Sequence, residues 1–350
     1  MSRRRDVQSQ SQSQDPAQAP APESEGPLLD VRDLVVEYAT EKGSVRAVDG
    51  VSFSLRRGEF LGVVGESGCG KSTLLFGIAQ LLSAPAGITA GQVWFKGQDL
   101  VPMTEKQLRP VRWANLSVVM QSAMNALNPV KTIGAQYRDV LRAHSFDLDI
   151  PQRSREVLEL VGVDPVHLNS YPHQLSGGMR QRAMIAMALL FTPDLIVMDE
   201  PTSALDVVAQ RSLMMKIKEL QRELGFAIIF VTHDMSLVSH FSDRLIVMYG
   251  GQIAELGETR TVFDTPRHPY SKGLLEAFPS IRGPKVPLLG IPGTPPDLGT
   301  PPPGCRFAPR CPSAMAACTE SGPELYDVDQ VLVRCLLHEP GLTAKEDVPA

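Results

Sequence analysis

The chain has 350 residues, a formal net charge of −5 at pH 7 and a hydrophobic fraction of 43%. The length allows one large domain or two modest ones, and the apolar content supports a core. The acidic balance argues against a nucleic-acid-binding protein that works by neutralising phosphates. No apolar run approaches the roughly 18 residues of a membrane-spanning helix. Arg3-Arg4-Arg5 precedes a Ser/Gln/Pro tract instead of an apolar signal sequence, which predicts a cytosolic chain.

The first segments predict a disordered tail followed by strands. Residues 1–27 are polar, repetitive and free of aromatic side chains, as in disordered segments. Residues 29–36 and 47–55 alternate apolar and polar side chains, which predicts two β-strands. Phe60–Val64 is a short apolar strand that leads into a glycine-rich loop, and residues 71–82 have helical spacing.

Further along the chain the pattern predicts helices, then strands of a parallel sheet. Residues near 122–190 are predicted to be mostly helical. Residues 195–198 and Ala227–Val231 are continuous apolar runs, typical of parallel strands covered on both faces, and residues 212–224 form an amphipathic crossover helix between them. After about Asp264 the composition shifts sharply towards Pro and Gly, which predicts a separate, loop-rich appendage.

Residues 65–72 spell G-E-S-G-C-G-K-S, the pattern of a phosphate-binding loop between a strand and a helix. Glycines let backbone N–H groups close around phosphates at the positive end of the following helix. We expect Lys71 to reach the β- and γ-phosphates, Ser72 to ligate Mg²⁺, and Thr73 to lie near the α- and β-phosphates. The predicted ATP-binding residues of this segment are Gly65, Ser67, Gly68, Gly70, Lys71, Ser72 and Thr73.

Residues 195–200 spell L-I-V-M-D-E, an apolar strand that ends in two carboxylates. Asp199 is expected to hold Mg²⁺, and Glu200 to act as the general base that polarises the attacking water. Two adjacent acids at a strand end are often only a solvated turn. The buried strand before them and the phosphate-binding loop favour the catalytic interpretation.

Residues 175–182 spell L-S-G-G-M-R-Q-R. Ser176 precedes Gly177, Gly178 and a predicted helix, so it is predicted to be an N-cap at a helix end with free N–H groups and a positive dipole. An ordinary capped helix would explain the serine, but it would not explain the order and separation of the three motifs.

The three motifs together resemble the ATPase subunits of ABC transporters over roughly residues 28–260. The resemblance implies an α/β P-loop NTPase fold of the ABC ATPase type, with a RecA-like core, an antiparallel β-subdomain and a helical subdomain near 122–190. The ATPase domain would occupy residues 28–262. In this family the motif at Ser176, Gly177 and Gly178 closes on the γ-phosphate bound by the opposite subunit, so turnover would require a dimer.

Four single residues match further positions of the family. Tyr38 matches the aromatic residue that stacks on adenine, and Gln121 matches the glutamine that senses Mg²⁺ and the attacking water. Asp206 matches the loop that bridges the two active sites. His233 matches the switch histidine that hydrogen-bonds the γ-phosphate, which gives Glu200, His233 and Gln121 as the predicted catalytic residues.

The appendage narrows the resemblance. H-P-Y-S-K-G-L-L at 268–275 and G-C-R-F-A-P-R-C-P at 304–312 resemble the C-terminal extension of oligopeptide/dipeptide importer ATPases, whose members import peptides, nickel complexes or oligosaccharides. The extension is predicted over residues 263–345. Many peptide importers carry an Asp-Pro pair just after the glutamine at 121. This chain does not, which shifts the expectation towards saccharide or other non-peptide cargo.

The resemblance implies an ATP-hydrolysing subunit that lies peripherally on the cytoplasmic face of the cell membrane and energises a binding-protein-dependent importer. The implied partners are two transmembrane permease subunits, an extracytoplasmic binding protein and a second, homologous ATPase, more often a different chain than a copy. Nucleic acid is not among the expected partners. The alternatives are a soluble ABC ATPase that is not coupled to transport and an exporter ATPase.

Four of the five cysteines lie in the extension: Cys305, Cys311, Cys318 and Cys335. In a cytosolic protein such a set binds metal more often than it forms disulfides. The spacing lacks the C-x2-C pair of most zinc ribbons and differs from ferredoxin runs. The family resemblance suggests a structural [4Fe–4S] cluster on the four thiolates, with Zn²⁺ or unliganded core cysteines as alternatives. Cys69, inside the phosphate-binding loop, is predicted not to be a ligand.

Overall fold

The computed structural model describes residues 26–121, 126–144, 149–203, 205–277 and 290–341. The strands are β1 (Leu29–Thr40), β2 (Gly43–Leu55), β3 (Phe60–Val64), β4 (Ala86–Phe95), β5 (Gln98–Asp99), β6 (Leu116–Val119), β7 (Leu195–Asp199), β8 (Ala227–Val231), β9 (Arg244–Tyr249), β10 (Gln252–Glu258), β11 (Tyr326–Val328) and β12 (Val331–Val333).

The α-helices of the described residues are α1 (Lys71–Ile78), α2 (Glu105–Leu108), α3 (Ile133–Ala143), α4 (Ile150–Leu160), α5 (Gly177–Ala188), α6 (Val207–Leu224), α7 (Met235–Phe241), α8 (Thr259–Asp264), α9 (Pro269–Glu276) and α10 (Ala317–Glu320). Short 3₁₀ helices occur at Pro165–Asn169, Pro172–Gln174, Ala308–Arg310 and Leu336–His338. Of the tail predicted to be disordered, residues 1–25 lie outside the described residues.

The main sheet has the strand order β11-β12-β10-β9-β3-β8-β7-β6. Neighbouring strands from β9 to β6 run parallel, as the continuous apolar runs predicted. Successive residues of β3 enter different hydrophobic clusters: Phe60 and Val64 pack on one face of the sheet, and Leu61 and Val63 pack on the other. The sheet is therefore a middle layer, and its strand ends carry the motifs described above.

The second sheet is antiparallel, with the order β2-β1-β4-β5. Val31, Leu34 and Val36 of β1 share a hydrophobic cluster with Leu74 and Leu75 of α1. The alternating pattern that predicted these strands thus buries one face of the sheet against the helix that follows the phosphate-binding loop.

The described residues between β6 and β7 form mainly helices joined by turns. Thr132 and Asp149 cap α3 and α4, and Ser176 caps α5 by accepting a hydrogen bond from the Met179 N–H at 3.3 Å. The fully buried Tyr137 of α3 donates its hydroxyl to the Ala183 carbonyl at 2.6 Å, which locks α3 onto α5.

The extension is not the separate, loop-rich appendage that its composition predicted. Strands β11 and β12 form a hairpin, and β12 pairs antiparallel with β10, so the extension lengthens the main sheet. The hairpin turns through Asp329 and Gln330, whose φ angles are 50° and 67°. The strands are three residues each and their turn lacks the Asn-Gly signal, so neither produced a recognisable pattern.

Candidate functional site

The loop between β3 and α1 has a backbone that only glycine permits at two positions. Gly65 and Gly70 have φ angles of 152° and 102°. A Cβ atom at Gly65 would lie 2.3 Å from the Met248 carbonyl oxygen, and one at Gly70 would lie 2.2 Å from the Ala47 carbonyl oxygen. Backbone carbonyl groups of the neighbouring strands therefore leave room only for glycine at these two positions, and they hold the loop in one shape at the start of α1.

Lys71 is the first residue of α1, and its side chain lies inside the loop. Its ammonium group donates to the carbonyl oxygens of Gly65 at 2.8 Å and Glu66 at 2.9 Å. The Sγ atom of Cys69 lies 3.7 Å from the same nitrogen. Burial raises the pKa of Cys69, so this thiol is neutral at neutral pH. The loop thus encloses one fixed positive charge at the helix N-terminus.

A cavity of about 580 Å³ lies in front of this loop. Eleven of the predicted ATP-site and catalytic residues line it: Tyr38, Gly65, Ser67, Gly68, Gly70, Lys71, Ser72, Thr73, Gln121, Glu200 and His233. At one end the Tyr38 hydroxyl and the Thr73 hydroxyl are 3.1 Å apart. Val45 and Ala47 of β2 complete the wall. Sequence reasoning missed both, because apolar strand residues carry no signal for ligand contact.

Asp199 lies behind the cavity wall, at the end of β7. It is only 2% exposed, and its Oδ1 atom has no hydrogen-bond partner. Burial raises the pKa of Asp199, while a hydrogen bond from Ser72 and the charge of Lys71 act in the opposite direction. A buried carboxylate oxygen without a donor, beside a hydroxyl, suits a hard divalent cation such as Mg²⁺.

Glu200 presents its carboxylate to the cavity between two other predicted residues. Its Oε2 atom accepts a hydrogen bond from Gln121 Nε2 at 2.9 Å, and its Oε1 atom lies 3.3 Å from His233 Nδ1. The backbone is left-handed here, with φ at 45°, and the Glu200 N–H donates to the Val231 carbonyl at 2.9 Å. This strained turn at a strand end aims the carboxylate into the cavity, as is common at functional sites.

The remaining predicted nucleotide contacts do not line this cavity. Ser176 is exposed, and Gly177 and Gly178 are half-buried at the start of α5. Asp206 is exposed at the start of α6, where it accepts a hydrogen bond from the Ala209 N–H at 2.9 Å. Both helix starts therefore face outwards, where a second subunit could reach them.

The four cysteines of the extension lie near one another. Burial raises the pKa of Cys305, Cys311 and Cys335, the last to about 12, and the neighbouring thiols raise these values further. Among the described residues, however, no group of three or more His, Cys, Asp or Glu side chains is arranged to hold a metal ion. The side-chain arrangement thus does not show the predicted [4Fe–4S] or Zn²⁺ site. The thiols are free: Cys335 lies in the large apolar core, Cys305 and Cys311 pack against that core, and Cys318 lies in a small apolar cluster of the extension.

Two family models match the chain: "ABC transporter" over residues 48–203, and "Oligopeptide/dipeptide transporter, C-terminal region" over residues 254–318. The chain is 44% identical to the dipeptide transport ATP-binding protein of Bacillus subtilis, over 89% of this chain and 95% of that one. This chain belongs to the ATP-binding subunits of ABC transporters. It is also 44% identical to the oligopeptide transport ATP-binding protein of Escherichia coli, over 85% of this chain and 89% of that one.

Solved structures confirm the ABC ATPase fold. A dimeric ATP-binding cassette in a post-hydrolysis state, bound to ADP and Pi, matches with a TM-score of 0.60 and 27% identity. The match covers 66% of this chain and 99% of the cassette. As a member of this family the chain is an ATPase, and ABC ATPases bind ATP with Mg²⁺. None of the described helices is long and apolar enough to cross a membrane.

Proposed function

We propose that this chain hydrolyses ATP to drive a binding-protein-dependent importer of oligopeptides or dipeptides. The observation that carries the proposal is the position of Glu200, whose carboxylate is held by Gln121 and His233 on the same cavity as Lys71 and Ser72. The curated relatives, named for dipeptide and oligopeptide transport, supply the cargo class. Saccharide cargo, towards which the missing Asp-Pro pair pointed, has no support among them.

The cavity is suited to ATP along its whole length. Tyr38, next to Thr73, would stack on the adenine ring, and the loop glycines with Ser67 would present N–H groups to the phosphates. Lys71 would donate to the β- and γ-phosphates in place of the loop carbonyls that it now contacts. Ser72, Asp199 and Gln121 would hold Mg²⁺, which neutralises phosphate charge when bound.

Hydrolysis requires a base next to the γ-phosphate. Glu200 would take a proton from the attacking water, with Gln121 holding one carboxylate oxygen and His233 lying beside the other. His233 is well exposed, at 69% of its side chain, so it can turn towards the γ-phosphate without breaking core packing. These two neighbours keep Glu200 oriented so that its free lone pairs point into the cavity.

A second ATPase subunit would complete each site. Ser176, Gly177, Gly178 and Asp206 lie outside the chain's own cavity, and the helix starts they cap are accessible. In a head-to-tail pair they would reach the γ-phosphate held by the partner, where a helix N-terminus favours an anion. The partner is expected to be a homologous, different chain.

The other partners would be two transmembrane permease subunits and an extracytoplasmic peptide-binding protein. With these partners the chain would act peripherally, at the cytoplasmic face of the membrane. A soluble ABC ATPase or an exporter ATPase is disfavoured by the match to the oligopeptide/dipeptide C-terminal region.

For the extension, we propose a [4Fe–4S] cluster on Cys305, Cys311, Cys318 and Cys335, with Zn²⁺ as the alternative. The support is proximity: each of these thiols lies close enough to others for a charge on one to raise the pKa of its neighbours. They would become thiolates together only with a cation to neutralise them, which a cluster would supply. The Cys305 N–H donates to the Cys318 carbonyl at 2.7 Å, which brings two of the four segments together. A bound cluster would tie the segments together and so stabilise the extension.

The function is tested by Glu200→Gln in the reconstituted importer. The amide keeps the size of the side chain and one hydrogen-bond acceptor but cannot take a proton, so ATP binding should persist while turnover falls by roughly 10²–10⁴-fold. Peptide uptake into proteoliposomes should stop, and the ATPase pair should be trapped closed. Near-normal ATP hydrolysis by this variant would exclude Glu200 as the base, and peptide-independent hydrolysis by the wild type would argue against the importer.

A further inference from the structure

We propose that the C-terminal extension controls the ATP affinity of this chain through Arg310, which neutralises the carboxylate of Glu66 in the phosphate-binding loop. Arg310 precedes Cys311 in the extension, and its partner Glu66 is the second residue of the loop. The inference rests on the proposed ATP site. It adds a positioning residue, 244 positions away along the chain, that no loop motif includes.

The two side chains form a two-pronged ion pair. Arg310 donates from NH1 to Glu66 Oε2 at 2.6 Å and from NH2 to Glu66 Oε1 at 3.0 Å. The Arg310 side chain is 5% exposed and that of Glu66 is 25% exposed. Parallel, largely buried bonds of this kind are strong and fix both groups in orientation. The hydrogen bonds to the carboxylate raise the pKa of Arg310 still further, so the guanidinium stays charged.

The extension also holds the Glu66 backbone. The Glu66 N–H donates to the hydroxyl of the fully buried Tyr270 at 2.9 Å. The Glu66 carbonyl accepts from Lys71 at 2.9 Å. One loop residue is thus fixed at its N–H and its side chain by the extension, and at its carbonyl by the lysine expected to bind phosphate.

Arg310 is itself firmly held. Its Nε donates to the Pro292 carbonyl at 2.8 Å, and its NH1 donates to the Tyr249 hydroxyl at 3.2 Å. The guanidinium lies 5.8 Å from the centre of the Tyr249 ring. The guanidinium of Arg310 is therefore already oriented towards Glu66, and forming the ion pair costs little side-chain conformational entropy.

Charge explains why ATP affinity should depend on this pair. A carboxylate in a loop that closes around phosphates repels them, and the repulsion is strong where water is partly excluded. Arg310 cancels that charge in the present structure. Without Arg310, Glu66 becomes an unpaired negative charge within the loop and loses the contact that fixes its side chain.

The experiment measures binding of a non-hydrolysable ATP analogue with Mg²⁺ to the purified full-length chain. Arg310→Met, which keeps much of the side-chain volume, should raise the Kd by roughly 2- to 30-fold, the range of couplings carried by residues that do not touch the ligand. Arg267→Met is the matched control, because Arg267 pairs with Asp329 elsewhere in the extension at 2.9 Å. Its Kd should equal that of the wild type.

Glu66→Gln separates the charge effect from loss of structure. It also breaks the ion pair, but it removes the negative charge, so its Kd should not rise, and adding Arg310→Met to it should change little. This comparison remains decisive if Arg310→Met alone folds poorly. A normal Kd for Arg310→Met, or equal weakening by Glu66→Gln and Arg310→Met, would overturn the inference. Absence of nucleotide binding to the wild type would instead refute the proposed ATP site.

Discussion

His268 should make the stability of the protein depend on pH below neutrality. The residue begins the H-P-Y segment and is 3% exposed. Its Nδ1 atom accepts the Tyr270 N–H at 2.9 Å, and its own backbone N–H donates to Glu255 Oε2 at 3.0 Å. An Nδ1 atom that accepts a hydrogen bond must carry no proton, so the ring is neutral. Burial lowers the pKa of His268 to about 4.

The magnitude follows from the difference between this pKa and the ordinary histidine value of 6.5. Because the folded protein disfavours the protonated ring, the contribution is fully present above pH 6.5 and is lost as the pH falls towards 4. Each pKa unit corresponds to about 1.4 kcal/mol, so the full loss is about 3 kcal/mol. At pH 5 the linkage relation gives a loss of about 2 kcal/mol.

Urea unfolding followed by circular dichroism at pH 7 and pH 5 tests this value. His268→Asn keeps a side-chain acceptor at the helix start but cannot titrate in this range. The free energy of unfolding of the wild type, minus that of the variant, should be larger at pH 7 than at pH 5 by about 2 kcal/mol. His240, which is exposed, provides the control: the free energy of unfolding of the wild type, minus that of His240→Asn, should be the same at pH 7 and pH 5. An equal wild-type-to-His268→Asn difference at both pH values would refute a buried neutral ring.

Two further predictions concern the partner subunit and the cysteines. Ser176→Arg should impair hydrolysis at the partner's phosphate-binding loop while leaving nucleotide binding by Lys71 and Ser72 nearly intact. ATPase and nucleotide-binding assays on the variant mixed with wild-type partner measure both effects. Weakened binding at the chain's own site would contradict the cross-subunit assignment. Anaerobically purified protein should be brown, with iron and acid-labile sulfide near four each per chain. Cys311→Ser should bleach it and expose residues beyond about 300 to protease, whereas colourless protein with stoichiometric zinc would favour the alternative metal.

The proposed ATP site was the most predictable part of the molecule, for steric reasons. Gly65 and Gly70 face carbonyl oxygens at distances that exclude any side chain. Only glycine fits at these positions, so the spacing of the glycines in the sequence indicates the shape of the loop. The β3 strand before it and the α1 helix after it follow from local periodicity. The sequence therefore placed Lys71 and Ser72 on one cavity without any long-range information.

Helix boundaries were less predictable, and the physical reasons are local. We expected α1 to continue to residue 82, but it ends at Ile78, and Gln80 adopts a left-handed backbone with φ at 54°. A glycine usually occupies such a position at a helix end, and the glutamine here gave no signal for the turn. We expected a crossover helix over 212–224, whereas α6 begins at Val207. Val207 and Val208 are 78% and 79% exposed, so two apolar residues on the solvent side obscured the periodicity of the first turn.

The contacts of the extension could not be predicted, because they join residues far apart in the chain. The loop pattern accepts any residue at Glu66, and an arginine in a Pro-rich segment has no preferred partner. The H-P-Y segment has a physical role only in the folded chain. There, His268 starts α9 and directs Tyr270 towards the Glu66 N–H.

The proposed cysteine site and the proposed control of ATP affinity meet in one short segment. Arg310 lies between Cys305 and Cys311, and the Cys311 N–H donates to the Ala308 carbonyl at 3.2 Å in the same turn. Cluster binding would fix the ends of this turn, but the Pro292 carbonyl and the Tyr249 hydroxyl already hold the guanidinium. Loss of the cluster can change the phosphate-binding loop only if the turn that carries Arg310 has two conformations, one favoured with the cluster and one without it. If Cys311→Ser bleaches the protein and leaves ATP affinity normal, the apolar and hydrogen-bonded contacts of Arg310 suffice. If affinity falls as it does in Arg310→Met, the cluster and the loop share one conformational equilibrium.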